Sequence, residues 1–98
     1  MSILESLHDL CVSKGISVAV AESCTSGLIA SKLTLNSGSS TFFKGGIIAY
    51  QNDIKMKILG VDKQAILQYT EVSTEVVKQM TEGVRKSFLA DYSIATSG

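Results

Sequence analysis

Three short runs, at residues 16–20 (I-S-V-A-V), 46–50 (G-I-I-A-Y) and 92–96 (Y-S-I-A-T), are nearly all apolar and rich in β-branched side chains. A strand with one wet face alternates apolar and polar residues. A run without that alternation reads as a strand covered on both faces. The covering layers are sought in the segments between the runs. Ile3, Leu4, Leu7, Leu10 and Cys11 recur at helical spacing and Gly15 follows as a stop, which predicts an amphipathic helix over 2–14. A second helix is expected from about Thr25 through Leu35, ended by N-S-G-S-S at 36–40. A third is opened by Q-N-D at 51–53 and runs to Gly60, and a short helix follows around 62–68. The last begins at Ser73, a good N-cap with Val72 before it, and runs through Met80, Val84 and Phe88. The expected fold class is α/β, a layered sandwich with helices packed on a central sheet.

With 98 residues, 45% hydrophobic and 18% charged, the chain has the makeup of one globular domain over residues 1–98. A domain of this size buries roughly 60–65% of its unfolded surface, so a core forms without disulfides or metal. Nine basic and nine acidic side chains cancel and no basic cluster stands out, which argues against nucleic acid as a partner. Cys11 and Cys24 match no metal-ligand spacing and are too few for a disulfide scaffold. The N-terminal stretch lacks a basic n-region, and no apolar run approaches the ~18 residues of a membrane span. A cytoplasmic location and no membrane association are expected.

In sheets of this class, ligands sit beyond the carboxyl ends of the strands. That rule draws attention to Glu22, Ser23, Cys24, Thr25, Ser26 and Gly27 after the first strand, to residues 50–55 after the second, and to Ser97 and Gly98 after the third. Hydroxyls beside free amides at a helix start make residues 23–27 a candidate cradle for phosphate or carboxylate, the alternative being an unoccupied N-cap. Cys24 at a helix start would have a lowered thiol pKa, but a buried, inert cysteine is the better reading, and His8 is expected on the surface. Ser39 and Ser40 fall at the edge of a possible single helical turn, and Gly45 with Gly46 permits a sharp reversal into the next strand. Lys55 falls in the first turn of its helix, where the macrodipole disfavours a cation. Asp53 nearby opposes that effect, so local sequence alone favours a solvated Lys55. Tyr50 reads most simply as core packing with a wet hydroxyl.

Taken in order, A-E-S-C-T-S-G-L at 21–28, G-S-S at 38–40, G-G-I-I-A-Y-Q-N-D-I-K at 45–55, L-G-V at 59–61 and V-S-T-E-V at 72–76 resemble the CinA C-terminal domain family. The resemblance implies an amidohydrolase that deamidates nicotinamide mononucleotide, a salvage step without metal or other cofactor. The family's serine nucleophile falls on Ser40, its tyrosine on Tyr50 and its lysine on Lys55. The 22–27 segment, Ser39, Gly46 and Ser97 would then line the nucleotide pocket. On this reading Lys55 accepts the serine proton and Tyr50 orients or relays it. The alternative is a noncatalytic nucleotide- or partner-binding module.

The chain has Thr25-Ser26-Gly27 where the family usually has T-G-G, and Ser97-Gly98 where it has T-G. The family also continues beyond that last glycine, so about a third of the domain is expected to be missing at the C-terminal side. The apolar surface left uncovered predicts self-association into a homo-oligomer or low stability.

Overall fold

The computed structural model describes residues 2–98. Its elements run α1 (Ile3–Lys14), β1 (Val18–Glu22), α2 (Leu28–Leu33), a 3-10 turn (Ser39–Thr41), β2 (Phe43–Ile48), α3 (Asn52–Lys57), α4 (Lys63–Tyr69), α5 (Thr74–Phe88) and β3 (Tyr92–Ala95). The three strands form a parallel sheet in the order β2-β1-β3. This is the α/β sandwich expected. The boundaries moved: the first strand lies two residues later than 16–20, and the second lies earlier than 46–50.

Every residue of β1 is buried, as the central strand of a two-sided sheet requires. Its alternation divides the core. Ala19 and Ala21 face α5, where Val76, Met80 and Val84 pack on them with Leu59, Val61 and Ala65. Val18 and Val20 face the other way, toward Cys11 of α1, Leu33 of α2 and Phe42. The small alanines let α5 come close to the sheet. Gly83 permits a second close approach, because a Cβ there would stand 1.9 Å from the Leu59 carbonyl oxygen.

The same parity continues to Glu22, the residue that sequence reading placed in the polar turn. It is the last strand residue, and its side chain emerges on the α2 face, where its carboxylate is 1% exposed. Oε1 accepts from the Gly27 amide (3.1 Å), the Ile29 amide (2.9 Å) and the Thr25 hydroxyl (2.6 Å), while Oε2 accepts from the Ala30 amide (2.9 Å). These amides are the orphan donors of a helix start. A strand residue thus does the work of an N-cap, and α2 begins at Leu28 rather than about Thr25. Burial pushes the carboxyl pKa up. The Thr25 hydroxyl and the three amides outweigh that effect and hold it below its ordinary value. Reaching this arrangement puts Ser26 at φ +52° and Gly27 at φ +99°.

β2 departs from expectation in a second way. It runs unbroken through Gly45 and Gly46, so the glycines make no reversal. Their role is room. A Cβ at Gly46 would lie 2.4 Å from Val20 Cγ2, and one at Gly45 would lie against the ring of Phe88. A register shift between Val18 and Ala19 leaves Lys44 without a β1 partner. His8, expected at the surface, is half-buried in α1 and edge-on to the Phe42 ring, with centroids 5.3 Å apart.

Ser73 caps α5 as expected, accepting from the Val76 amide at 3.1 Å, and Gly15 ends α1 at φ +66°. Among the described residues no helix is long and apolar enough to cross a membrane.

These contacts set three expected outcomes for thermal unfolding. Gly83→Ala forces α5 off Leu59, an overpacking cost of about 1–3 kcal/mol or more against about 1 kcal/mol of helix propensity gained, so the melting temperature should fall. Ser26→Gly relieves a left-handed residue and should raise stability by about 1 kcal/mol. Glu22→Gln turns an amide donor toward backbone donors and should cost about 1–3 kcal/mol. Because the Glu22 carboxyl pKa is depressed in the folded state, its stabilisation is complete above the ordinary value of 4.5 and is lost as pH falls through the lower folded value. Denaturant titrations from neutral pH into the acid range should show this loss in the parent and not in Glu22→Gln.

Candidate functional site

The loops beyond the carboxyl ends of the strands are tied together by short polar contacts. The Ser23 amide donates to both the carbonyl and the hydroxyl oxygen of Thr96, each at 3.2 Å. Thr25 has its hydroxyl proton on Glu22, so Thr96 Oγ1 donates to Thr25 Oγ1 at 2.8 Å. The Ala49 amide donates to the Glu22 carbonyl at 2.8 Å, which joins the end of the second strand to the first. Gly98 lies beside Cys24, whose Sγ is 3.2 Å from where a Gly98 Cβ would stand. Thr96, which sequence reasoning passed over, is the hub of this network. Its only signal was its place at the end of the last apolar run.

Two concavities open here. A cleft of about 540 Å³ lies between the first turn of α5 and the end of β3, with the hydroxyl residues Ser73, Thr74, Thr96 and Ser97 on its walls. That volume suits a small ligand. The Ser97 hydroxyl donates to the Glu71 carbonyl and so fixes one wall. The second concavity, about 210 Å³, lies between α2 and β2 beside Glu22, Gly27 and Gly46.

The expected anion cradle at 23–27 has a different occupant. The amides of Gly27, Ile29 and Ala30 donate to Glu22, so an anion at the start of α2 would meet a buried carboxylate. Ser23 is buried, Thr25 half-buried and Ser26 exposed, and they border the ends of the strands without forming an open ring of donors. Cys24 is exposed rather than buried. Among the described residues no three His, Cys, Asp or Glu side chains are grouped to hold a metal ion.

Lys55 also reverses its local reading. It is 2% exposed. Gln51 is the N-cap of α3 and accepts the Lys55 amide (3.1 Å), and the chain then wraps back so that the Val61 amide donates to the Lys55 carbonyl (3.0 Å). That wrap encloses the side chain. Among the described residues Nζ pairs with no carboxylate, the ion pairs present being those of Glu82 with Arg85 and Lys86. Tyr50, expected in the core, is 69% exposed just past β2.

Ser39 and Ser40 form the 3-10 turn as expected, with Ser40 exposed. The turn, however, precedes β2 and α3 follows it. β2 alone spans roughly 17 Å, five rises of about 3.3 Å. Within one chain the structure therefore groups Lys55 and Tyr50 at one end of the sheet and leaves Ser40 at the other.

The family model of the CinA C-terminal domain matches residues 1–98. A CinA-like protein of Leptospira interrogans serogroup Icterohaemorrhagiae is 44% identical over 98 residues, 100% of this chain and 23% of its own length. One from Shewanella pealeana is 41% identical over 97 residues, with 99% and 23% covered. Among solved structures, a competence-damaged protein (CinA) superfamily protein from Enterobacter cloacae superposes with a TM-score of 0.93 at 30% identity, over 97% of this chain and 56% of that one. A competence/damage inducible protein from Agrobacterium tumefaciens gives 0.85 at 34% identity, over 97% and 62%. The chain spans less than a quarter of those curated relatives and just over half of those solved chains. The match of the family model over residues 1–98, together with superposition at TM-scores above 0.8, shows that the chain belongs to the CinA C-terminal domain family.

Proposed function

We propose that the protein is an amidohydrolase that converts nicotinamide mononucleotide to nicotinate mononucleotide and ammonia. The observation that carries this reading is Lys55, a residue 2% exposed with no carboxylate partner among the described residues, on α3 just past the end of β2, where sheets of this class bind ligands. A lysine drawn largely out of solvent without a counter-charge is costly to keep in a fold that gains nothing from it. The nucleotide lies across the carboxyl ends of the strands, with Ser97, Thr96 and the 23–27 loop at its sides.

Ser40 is the nucleophile, in keeping with the family motif. Its Oγ adds to the carboxamide carbon while its proton passes to Lys55 Nζ, and the Tyr50 hydroxyl relays or orients that proton. The C–N bond then breaks as the leaving nitrogen takes the proton from Nζ and departs as ammonia. Water adds to the acyl-serine, its proton returns through Lys55 to Ser40 Oγ, and the acid is released. The sum is amide plus water to carboxylate plus ammonium.

A second reading has an observation of its own. Because Ser40 stands at the far end of β2 from Lys55, one chain could bind the nucleotide through the same loops without turning it over. A binder of that kind shows affinity and no product.

In the full-length protein, Ser40→Ala should abolish ammonia release from nicotinamide mononucleotide while nucleotide affinity stays within a few-fold. Lys55→Met should lower turnover by about 10²–10⁴, the range of a lost proton-transfer group, with a smaller effect on affinity. Ammonia assay paired with calorimetric titration checks both. A parent protein that binds the nucleotide and releases no ammonia would establish the second reading.

A further inference from the structure

We propose that the concavity of about 210 Å³ between α2 and β2 seats the pyridinium ring of the nucleotide, with the Glu22 carboxylate as the counter-charge that selects a cationic ring. The inference rests on the amidase reading for the identity of the ring, and it is independent of which serine attacks. It begins from a charge that the fold leaves uncompensated. Four donors hold the Glu22 carboxylate, but all are neutral, three backbone amides and one hydroxyl. Among the described residues no cation pairs with it, the ion pairs present being those of Glu82. Buried charges are as a rule matched by an opposite charge, and this one, 1% exposed, has none in the protein.

Glu22 lines the concavity together with Val20 of the same strand, Gly27 and Ala30 on the α2 side, and Gly46 and Ile48 on the β2 side. Both sides are thinned by small residues. A Cβ on Gly27 would stand 3.3 Å from Ile48 Cδ1 and so narrow the opening from one side to the other. The volume falls below the roughly 300–1,000 Å³ of pockets that enclose a whole drug-sized ligand, and it suits one flat ring. An apolar slot with one ionised carboxylate favours a group that is apolar in surface and positive in charge. A pyridine ring substituted at nitrogen has both properties, since its charge is permanent and spread over carbon atoms, whereas a compact ammonium is strongly hydrated.

Topology places this slot at the ligand crevice. From β1 the chain leaves into α2, whose Leu33 packs on the Val18 and Val20 face, while α3 follows β2 and its Ile54 packs with α5 on the opposite face. Neighbouring strands β1 and β2 therefore send their following helices to opposite sides of the sheet, which is the switch point where open α/β sheets hold ligands. The slot belongs to the α2 lip of that crevice and Lys55 to the α3 lip. The larger cleft by β3 lies two strand spacings away, about 10 Å, and is left for the rest of the nucleotide.

The test is calorimetric titration of the full-length protein with nicotinamide mononucleotide and with its reduced, dihydropyridine form, whose ring is neutral. The Ser40→Ala background keeps the first from being consumed. The cationic ring should bind at least about tenfold more tightly, the scale of one partly desolvated charge pair. Glu22→Gln should reduce that preference to within about twofold. Ala30→Leu fills the slot from α2 while residue 30 keeps its backbone amide on Glu22, and it should weaken the cationic ligand by about tenfold or more. Circular dichroism establishes that each variant is folded, and where Glu22→Gln does not fold, Ala30→Leu decides. Equal affinity for the two rings overturns the proposal. So does a preference that survives in folded Glu22→Gln, or undiminished binding of the cationic ring in folded Ala30→Leu. The two readings fail separately. A ring-charge preference lost in the variants of a parent that releases no ammonia keeps the slot and removes the amidase, whereas ammonia release without that preference removes the slot and keeps the amidase.

Discussion

The carboxylate of Glu22 is held by four donors that come from the turn and helix following its own strand. Much of the ligand end of this molecule depends on that arrangement. It anchors the start of α2 to the central strand, forces the left-handed backbone at Ser26 and Gly27, and leaves Thr25 placed to accept from Thr96. A six-residue helix has little intrinsic stability in water. Tied to a fully buried strand, it becomes part of the scaffold, and the loop before it is fixed as a consequence.

The three strands and the helices were legible in the sequence because they follow from periodicity, but the two-sided covering expected of all three runs holds only for β1: β2 and β3 alternate in burial, with Ile48 and Tyr92 exposed. Segments with apolar residues three and four apart became helices. Ser73 and Gly15 acted as their local chemistry requires. What was not legible depends on residues distant in sequence. Nothing local distinguishes a glutamate that caps a helix from inside a strand from one that starts a polar turn. Gly45 and Gly46 carry the composition of a reversal, yet inside a continuous strand Gly46 serves close packing on Val20 and Gly45 a positive φ. Gly83, in mid-helix, marks the point where α5 meets the Leu59 carbonyl, a contact no helical pattern announces. Lys55 looked solvated because its enclosure comes from residues beyond its own helix.

The candidate site shows the same division. The rule that ligands gather beyond the carboxyl ends of such strands located Ser23, Tyr50, Lys55 and Ser97 correctly as neighbours of that end. Family motifs supplied Ser40, and the topology puts it at the other. Motif order along a chain carries no information about which end of a strand a residue will occupy. The cradle at 23–27 went astray for an electrostatic reason: the donors are real, but the protein supplies its own anion to them.

The bond between Thr25 and Thr96 joins residues 71 positions apart, and the Ser23 amide makes a comparable span to the same residue. Contacts of such sequence separation are closed late, since the entropy of the intervening loop opposes them until the rest of the chain is ordered. The Glu22 cap draws only on residues 22–30, whereas the loop it carries has no partner until β3 has emerged and docked. Its final geometry therefore reports that β3 has joined the sheet, and a nascent chain halted before residue 96 would hold the cap without the shape that the cap exists to support.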